Sequence, residues 1–288
     1  MGHERPRCRI QSWVCRTRSR VSRRDRLCAR RDWPRPLRLQ DRESASPHQR
    51  RPGGPRDARR RCRGLPLVAP VSTVVASELV LADAESLQDL GRYAARARAL
   101  DADGAVRLQA VGLVLASWVG VLPGSGLLST GVTIGLRTSS LAEPAQLDVL
   151  VPLASVSDRV ARPGERAVLP VPPMTVSAAW AAVSPPRSGW QPLGVIDSEA
   201  LQRSASEGIA EVADGTPAGA GAPALAALRE QVWRRPIAGT TDEAPVPAAL
   251  AFAAYALGFL TPGAEATVAT SGRWTRLTTP AGHALTRS

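Results

Sequence analysis

Apolar residues recur at helical spacing between Glu85 and Leu100: Leu87, Leu90, Ala94 and Ala97 share one face, while Arg92, Arg96 and Arg98 fall elsewhere. Asp83 stands just ahead with the acceptor side chain of an N-cap, so the pattern predicts a helix over 85–100. Thr73 to Ala82 reads as a strand or an earlier helical turn, and Asp101-Ala102-Asp103-Gly104 as a turn.

From Ala105 onward the period changes. The runs Ala105–Val111, Leu113–Leu122, Gly131–Arg137 and Leu147–Leu153 are rich in Val and Leu and bounded by Gly, Pro or Ser, which predicts antiparallel strands packed on the helix. Pro123-Gly124-Ser125-Gly126 supplies a turn, and Arg166–Val171 a further strand ending at Pro172-Pro173. No charge occurs between Arg107 and Arg137, a stretch long enough to cross about 30 Å of hydrocarbon as a helix. Gly112, Gly120, Pro123, Gly124 and Gly126 interrupt it, so buried sheet is the expectation and no membrane span is predicted.

Residues 172–196 read as an irregular connection that places Trp180 and Trp190 on either side of Ser184-Pro185-Pro186. A helix follows over Ser198–Val212, capped by Asp197 or Ser198, with Leu201, Ala205, Ile209 and Val212 on one side. Gly215 to Ala222 is a flexible linker by composition, followed by helices over Pro223–Trp233 and Pro247–Leu260. Short strands close the chain at Ala264–Thr270, Arg273–Thr278 and His283–Thr286, with turns at Ser271-Gly272 and Pro280-Ala281-Gly282. The pattern therefore predicts an α+β protein in which a helix packs on an antiparallel sheet (71–175), followed by the connection, helices and a terminal β-hairpin or meander (176–288).

Charge divides the 288 residues unevenly. Residues 1–64 hold 21 Arg against 6 acidic residues, whereas residues 65–288 hold 16 Arg against 19, so the overall +12 belongs to the first segment. That segment also carries all four cysteines (Cys8, Cys15, Cys28, Cys62) and two of the three histidines, and it has no apolar periodicity with which to offset its chain entropy. We read residues 1–70 as an Arg-rich disordered segment. The chain has no Lys and no Asn, only two Phe, two Tyr and two Met, and much Ala, Gly, Pro and Arg, the signature of a GC-rich bacterial gene. In such a gene the segment is expected to be a mis-called N-terminal extension, with Val71 standing where a GTG start would fall. A nucleic-acid-binding arm is the alternative. A zinc site would want close ligand pairs, whereas 6, 12 and 33 residues separate these cysteines.

Residues 65–288 offer little catalytic chemistry. Without Cys or Lys they have no thiol nucleophile and no Schiff-base amine, and with His283 alone they cannot build a multi-histidine metal centre in one chain. Asp101-Ala102-Asp103-Gly104 opens like a calcium loop but lacks a ligand at Ala105, a glycine at Val106 and a glutamate at Gly112. Gly124-Ser125-Gly126 lacks both the third glycine of a dinucleotide fingerprint and a P-loop lysine, and no nucleophile elbow occurs. Asp242-Glu243 precede a helix, whose N-terminus they favour electrostatically. No catalytic, cofactor-binding or metal-ligating set is predicted.

The C-terminal third has the outline of a winged helix, with Arg273, Trp274, Arg276, His283 and Arg287 toward its wing. The helix that would read bases runs Ala248-Ala249-Leu250-Ala251-Phe252-Ala253-Ala254-Tyr255-Ala256-Leu257, without Arg, Asn or Gln, and suits burial instead. The expectation is a cytoplasmic, non-enzymatic protein-binding or regulatory module that works through a protein partner or self-association. Its candidate contact residues are Trp180, Trp190, Trp233, Arg234, Arg235, Arg273, Trp274 and Arg276. The alternatives are a small-molecule enzyme or ligand-binding protein using carboxylate, Ser and Arg groups, or a nucleic-acid binder. Mass spectrometry of the N-terminus in the native host is expected to find a chain beginning at position 71 or 72; peptides from residues 1–64 would refute the mis-called start.

Overall fold

The first helix, α1 (Ala84–Leu100), begins where the pattern placed it, with the Asp83 carboxylate accepting a 2.6 Å hydrogen bond from the Ser86 N–H. The computed structural model describes residues 76–126, 129–162, 166–216, 221–240 and 245–288. The Arg-rich segment 1–70, residues 217–220 of the Gly215–Ala222 linker and the Asp242-Glu243 pair lie outside the described residues.

The fold is α+β, with the described strands antiparallel. Three residues, Glu78–Val80 (β1), form a two-stranded ribbon with Val168–Pro170 (β4). The other strands make one six-stranded sheet. These are Ala105–Leu122 (β2), Thr133–Pro152 (β3), Gln191–Asp197 (β5), Glu265–Ser271 (β6), Trp274–Thr279 (β7) and Gly282–Arg287 (β8), in the order β2-β3-β8-β7-β6-β5.

The long hairpin β2–β3 corrects the sequence reading in two places. Gly112 bends β2 rather than ending it: at φ +60 it occupies a region that L side chains rarely adopt, and the register shifts between Gly112 and Val114. Across from it, the polar stretch 138–146 stays in β3, where Leu141 bridges Leu81 and the Ala82 N–H donates to Ser140 O at 2.9 Å. Leu153 opens a helix, α2 (Leu153–Val160), rather than closing a strand. Eight residues are too few to hold a helix alone, and burial of Leu153 and Val156 beside α1 stabilises it. Strand β5 likewise begins inside the stretch read as irregular.

Helices α3 (Ser198–Asp214), α4 (Ala222–Arg234) and α5 (Ala248–Leu257) follow the predicted order. Seven residues of α5 are buried, and it packs against β3, β7, β8, α1, α3 and α4. It is the central element of the core, and β6–β8 are sheet strands beside it rather than a separate wing. The row Val268–Leu277–Ala284–Gly135–Val119 crosses five strands on the face toward the helices. Each fully buried Leu in this core, such as Leu250, Leu201 or Leu90, contributes about 1.5–3 kcal/mol.

Gly135 lets α5 approach the sheet. A Cβ there would overlap Leu257 Cδ1 and lie 3.1 Å from the Tyr93 hydroxyl and 3.3 Å from Val119 Cγ2. Gly135→Val is therefore expected to lower the urea midpoint, at unchanged m-value, by the equivalent of about 1–3 kcal/mol.

Candidate functional site

The sheet face turned away from the helices carries a second, smaller core. Val132, Ile134, Trp274 and Leu285 are buried there, with Trp118, Leu136, Trp180, Val183 and Trp190 packed on them. Strand alternation explains the gathering. Trp274, Arg276 and Thr278 project from β7 to this face, opposite the inward Leu277, and His283 and Leu285 do the same from β8.

The segment between β4 and β5 crosses this face. Its 3-10 turn, Ala179–Ala182, lays Trp180 directly on Gly120 of β2, where an added Cβ would come within 2.5 Å of the indole ring. Trp190 lies against the Arg276 guanidinium, whose Cζ is 4.4 Å from the ring centroid, while its indole N–H donates to Pro186 O at 3.1 Å. The segment thus roofs the row Ala269–Arg276–Leu285–Ile134–Gly120.

The next row, Val195–Thr267–Thr278–His283–Leu136–Trp118, lies at the margin of that cover. Val195 and Thr267 are exposed and the other four are half-buried. His283 Nδ1 and Thr278 Oγ1 share a 2.9 Å hydrogen bond. Burial, and secondarily the Arg276 charge, holds the imidazole below its usual pKa. Burial also lowers the Arg276 pKa. Its Nε is buried without a hydrogen-bond partner, and among the described residues no carboxylate pairs with it. By contrast Arg107 grips Asp148 through two 2.7 Å bonds, which lowers the carboxyl pKa, and Arg137 pairs with Asp89.

The structure thus brings Trp180, Trp190, Trp274 and Arg276 together. Arg273 stands at the β6–β7 turn, exposed, its Nε donating to Ser288 O at 2.6 Å. Trp233, Arg234 and Arg235 are elsewhere: Trp233 is buried against Phe252 and over Gly208, Arg234 pairs with Glu230, and Arg235 makes two 2.6 Å bonds to Glu211. Trp118, Leu136 and Thr278 complete the cluster without having been singled out, together with His283, which the sequence named for the wing of the winged-helix outline rather than as a contact. The alternation of the last two strands is the signal that could have placed Thr278 and His283.

The two edges of the sheet form a second surface feature. Val111, Leu113 and Val114 on β2 are 57%, 53% and 53% exposed, and Leu193 and Val195 on β5 are 39% and 56% exposed. Both groups lie at register shifts, between Gly112 and Val114 and between Pro192 and Gly194. Two open depressions occur on helix surfaces, one at Glu230, Gln231 and Arg234 and one at Glu199, Arg203 and Glu207. Among the described residues no group of three or more His, Cys, Asp or Glu could hold a metal ion, and no helix is long and apolar enough to cross a membrane.

Two family models match the sequence, both described as a domain of unknown function: DUF8010 over residues 74–181 and DUF8185 over residues 185–288. No curated protein matches it. Among solved structures the chain is similar to the DNA polymerase III subunit beta from Pseudomonas aeruginosa, at 14% identity and TM-score 0.42 over 73% of this chain and 64% of that one. It is also similar to the DNA polymerase sliding clamp from Caulobacter crescentus, at 12% identity and TM-score 0.40 over 74% and 65%, and to that from Bacillus subtilis, at 11% and 0.40 over 74% and 63%. The chain spans less than two thirds of the length of these proteins, and similarity of this degree transfers no function to it.

Because His283 titrates lower in the folded than in the unfolded chain, the unfolded state binds more protons as pH falls through about 6.5. This contribution to stability is full above that pH and is lost as pH falls toward the folded-state value. Urea titrations between pH 7.5 and 5 are expected to show the loss, and His283→Gln to flatten it.

Proposed function

We propose that the chain is a non-enzymatic, cytoplasmic protein-binding module that engages a partner polypeptide, or a further copy of itself, through the edges of its six-stranded sheet. One observation carries this reading. Of the seven large apolar side chains exposed among the described residues, five lie on the two edge strands: Val111, Leu113 and Val114 on β2, and Leu193 and Val195 on β5. An edge strand presents unpaired N–H and C=O groups, and exposed aliphatic side chains beside them add the apolar area that strand addition needs.

Both edges also carry devices that limit indiscriminate pairing. Pro192 lacks an N–H, and the bulges at Gly112–Val114 and Pro192–Gly194 bend the strands. A bulge turns its side chains outward, so these residues suit anchoring in a matching pocket more than open-ended stacking. The double variant Leu113→Lys with Val195→Lys is expected to weaken association by about tenfold or more, equivalent to at least about 1.4 kcal/mol, without moving the urea midpoint. Sedimentation velocity reads the self-association, and hydrogen exchange on the complex reads protection of β2 or β5. Equal association by wild type and variant would refute the assignment.

A further inference from the structure

We infer that Arg276 and His283 form a receptor for a carboxylate carried by an acidic, apolar-flanked peptide segment laid across the outer face of the sheet beside the Trp190 cover. The inference rests on the protein-binding reading above but concerns the outer face of the sheet, which meets the β5 edge at Val195, so the edge test that separates the two readings is Leu113→Lys on β2.

Three observations carry it. First, the Arg276 guanidinium is held in place without being neutralised. Trp190 lies against it at 4.4 Å, its Nε is buried without a hydrogen-bond partner, and among the described residues no carboxylate meets it. Arg92, Arg107, Arg137, Arg166, Arg234 and Arg235 each meet one; Arg276 shares its buried, unpartnered Nε with Arg98 and differs from it in being stacked on a tryptophan ring. A stacked guanidinium has already lost much of its side-chain freedom, so an incoming carboxylate meets a preorganised fork.

Second, the neighbouring groups are donors rather than competing acids. His283 stands one residue pair along from Arg276 in the β7–β8 ladder, fixed by its 2.9 Å bond to Thr278. The Arg276 charge disfavours the charged form of His283, and burial disfavours that of Arg276, so a carboxylate placed between them would favour both cations. Thr267 and Thr278 add hydroxyls on the same row.

Third, the row surrounds these polar groups with apolar surface. Val195 is exposed at one end, and Leu136 and Trp118 are half-buried at the other. This arrangement suits a peptide that alternates acidic and aliphatic residues. A phosphate polyanion fits less well: it wants a stripe of cations, whereas residues 65–288 carry 16 Arg against 19 acidic residues. The Arg-rich segment 1–64 has the wrong sign to occupy the site itself.

The test uses the full chain and three probes: a fluorescein-labelled peptide alternating Glu and Leu, its Gln–Leu counterpart, and a fluorescein-labelled oligothymidine. Wild type is expected to bind the Glu peptide with an affinity that falls with salt, and to bind the Gln peptide about tenfold more weakly or worse. Arg276→Gln is expected to remove that preference, and Arg276→Lys to retain only part of it because the planar fork is lost. The His283 ring resonance, assigned with His283→Gln, should move on adding the Glu peptide. Since the Glu-to-Gln comparison is made on unaltered protein, a variant that fails to fold does not spoil it.

Equal binding of the two peptides, no binding of the Glu peptide up to about 1 mM, or a stronger response to oligothymidine would each overturn the site. If Leu113→Lys, alone or with Val195→Lys, leaves association intact while the Glu preference persists, the edge reading alone falls. If edge-dependent association stands without that preference, the carboxylate site alone falls.

Discussion

Four residue pairs hold the six-stranded sheet together as one unit. Thr133 to Leu136 of β3 run against Thr286 to His283 of β8, and among the described residues this is the only ladder joining the β2–β3 hairpin to the C-terminal strands. At one end two buried threonine hydroxyls meet at 2.9 Å, and Thr286 also reaches Val132 O at 3.2 Å. Beyond the other end, Arg137 donates to Ala281 O at 2.6 Å and pairs with Asp89 of α1. Alternation along these few residues decides both faces: Ile134 and Leu136 point to the tryptophan cluster, while Gly135 leaves room for α5. A slip of one residue would send a branched side chain against α5 and strand its partner on the wrong face, so the register is strongly specified.

What was legible in the sequence follows from which signals are local. Helix α1 with its Asp83 cap, helices α3 to α5 and the three last strands lie within a few residues of where periodicity and Gly or Pro punctuation put them. The hairpin was cut short because Gly112 and the polar stretch 138–146 look like loop, whereas the partner strand and the chain near Leu81 hold them extended. Helix α2 and strand β5 depend on tertiary packing and pairing that a short window does not contain.

The cluster on the outer face was legible as residues but not as a place. Trp180, Trp190, Trp274 and Arg276 drew attention as aromatic and cationic side chains, yet their convergence needs the β3–β8 ladder and the crossing segment. Trp118 and His283 look like ordinary strand residues until that ladder sets them in one row. Trp233, next to Arg234 and Arg235, has the same appearance in sequence as Trp190, but it sits inside, stacked on Phe252 at 4.4 Å. A tryptophan beside arginines therefore has no fixed meaning; the period of its own element decides which way it turns.

Helix α5 owes its place to how little its side chains protrude. Ala248, Ala249, Ala251, Ala253 and Ala254 are all buried, and Gly135 beneath the helix leaves the space that the Leu257 side chain fills. Alanine and glycine are also the residues that a GC-rich gene supplies most freely, so in such a gene mutational bias and steric demand would pull these positions the same way. Single-base drift from alanine codons toward valine or threonine would bring branched side chains into space that does not exist. A lineage whose genome shifted toward A and T would have to widen the helix-to-sheet spacing before its codons at these sites could follow.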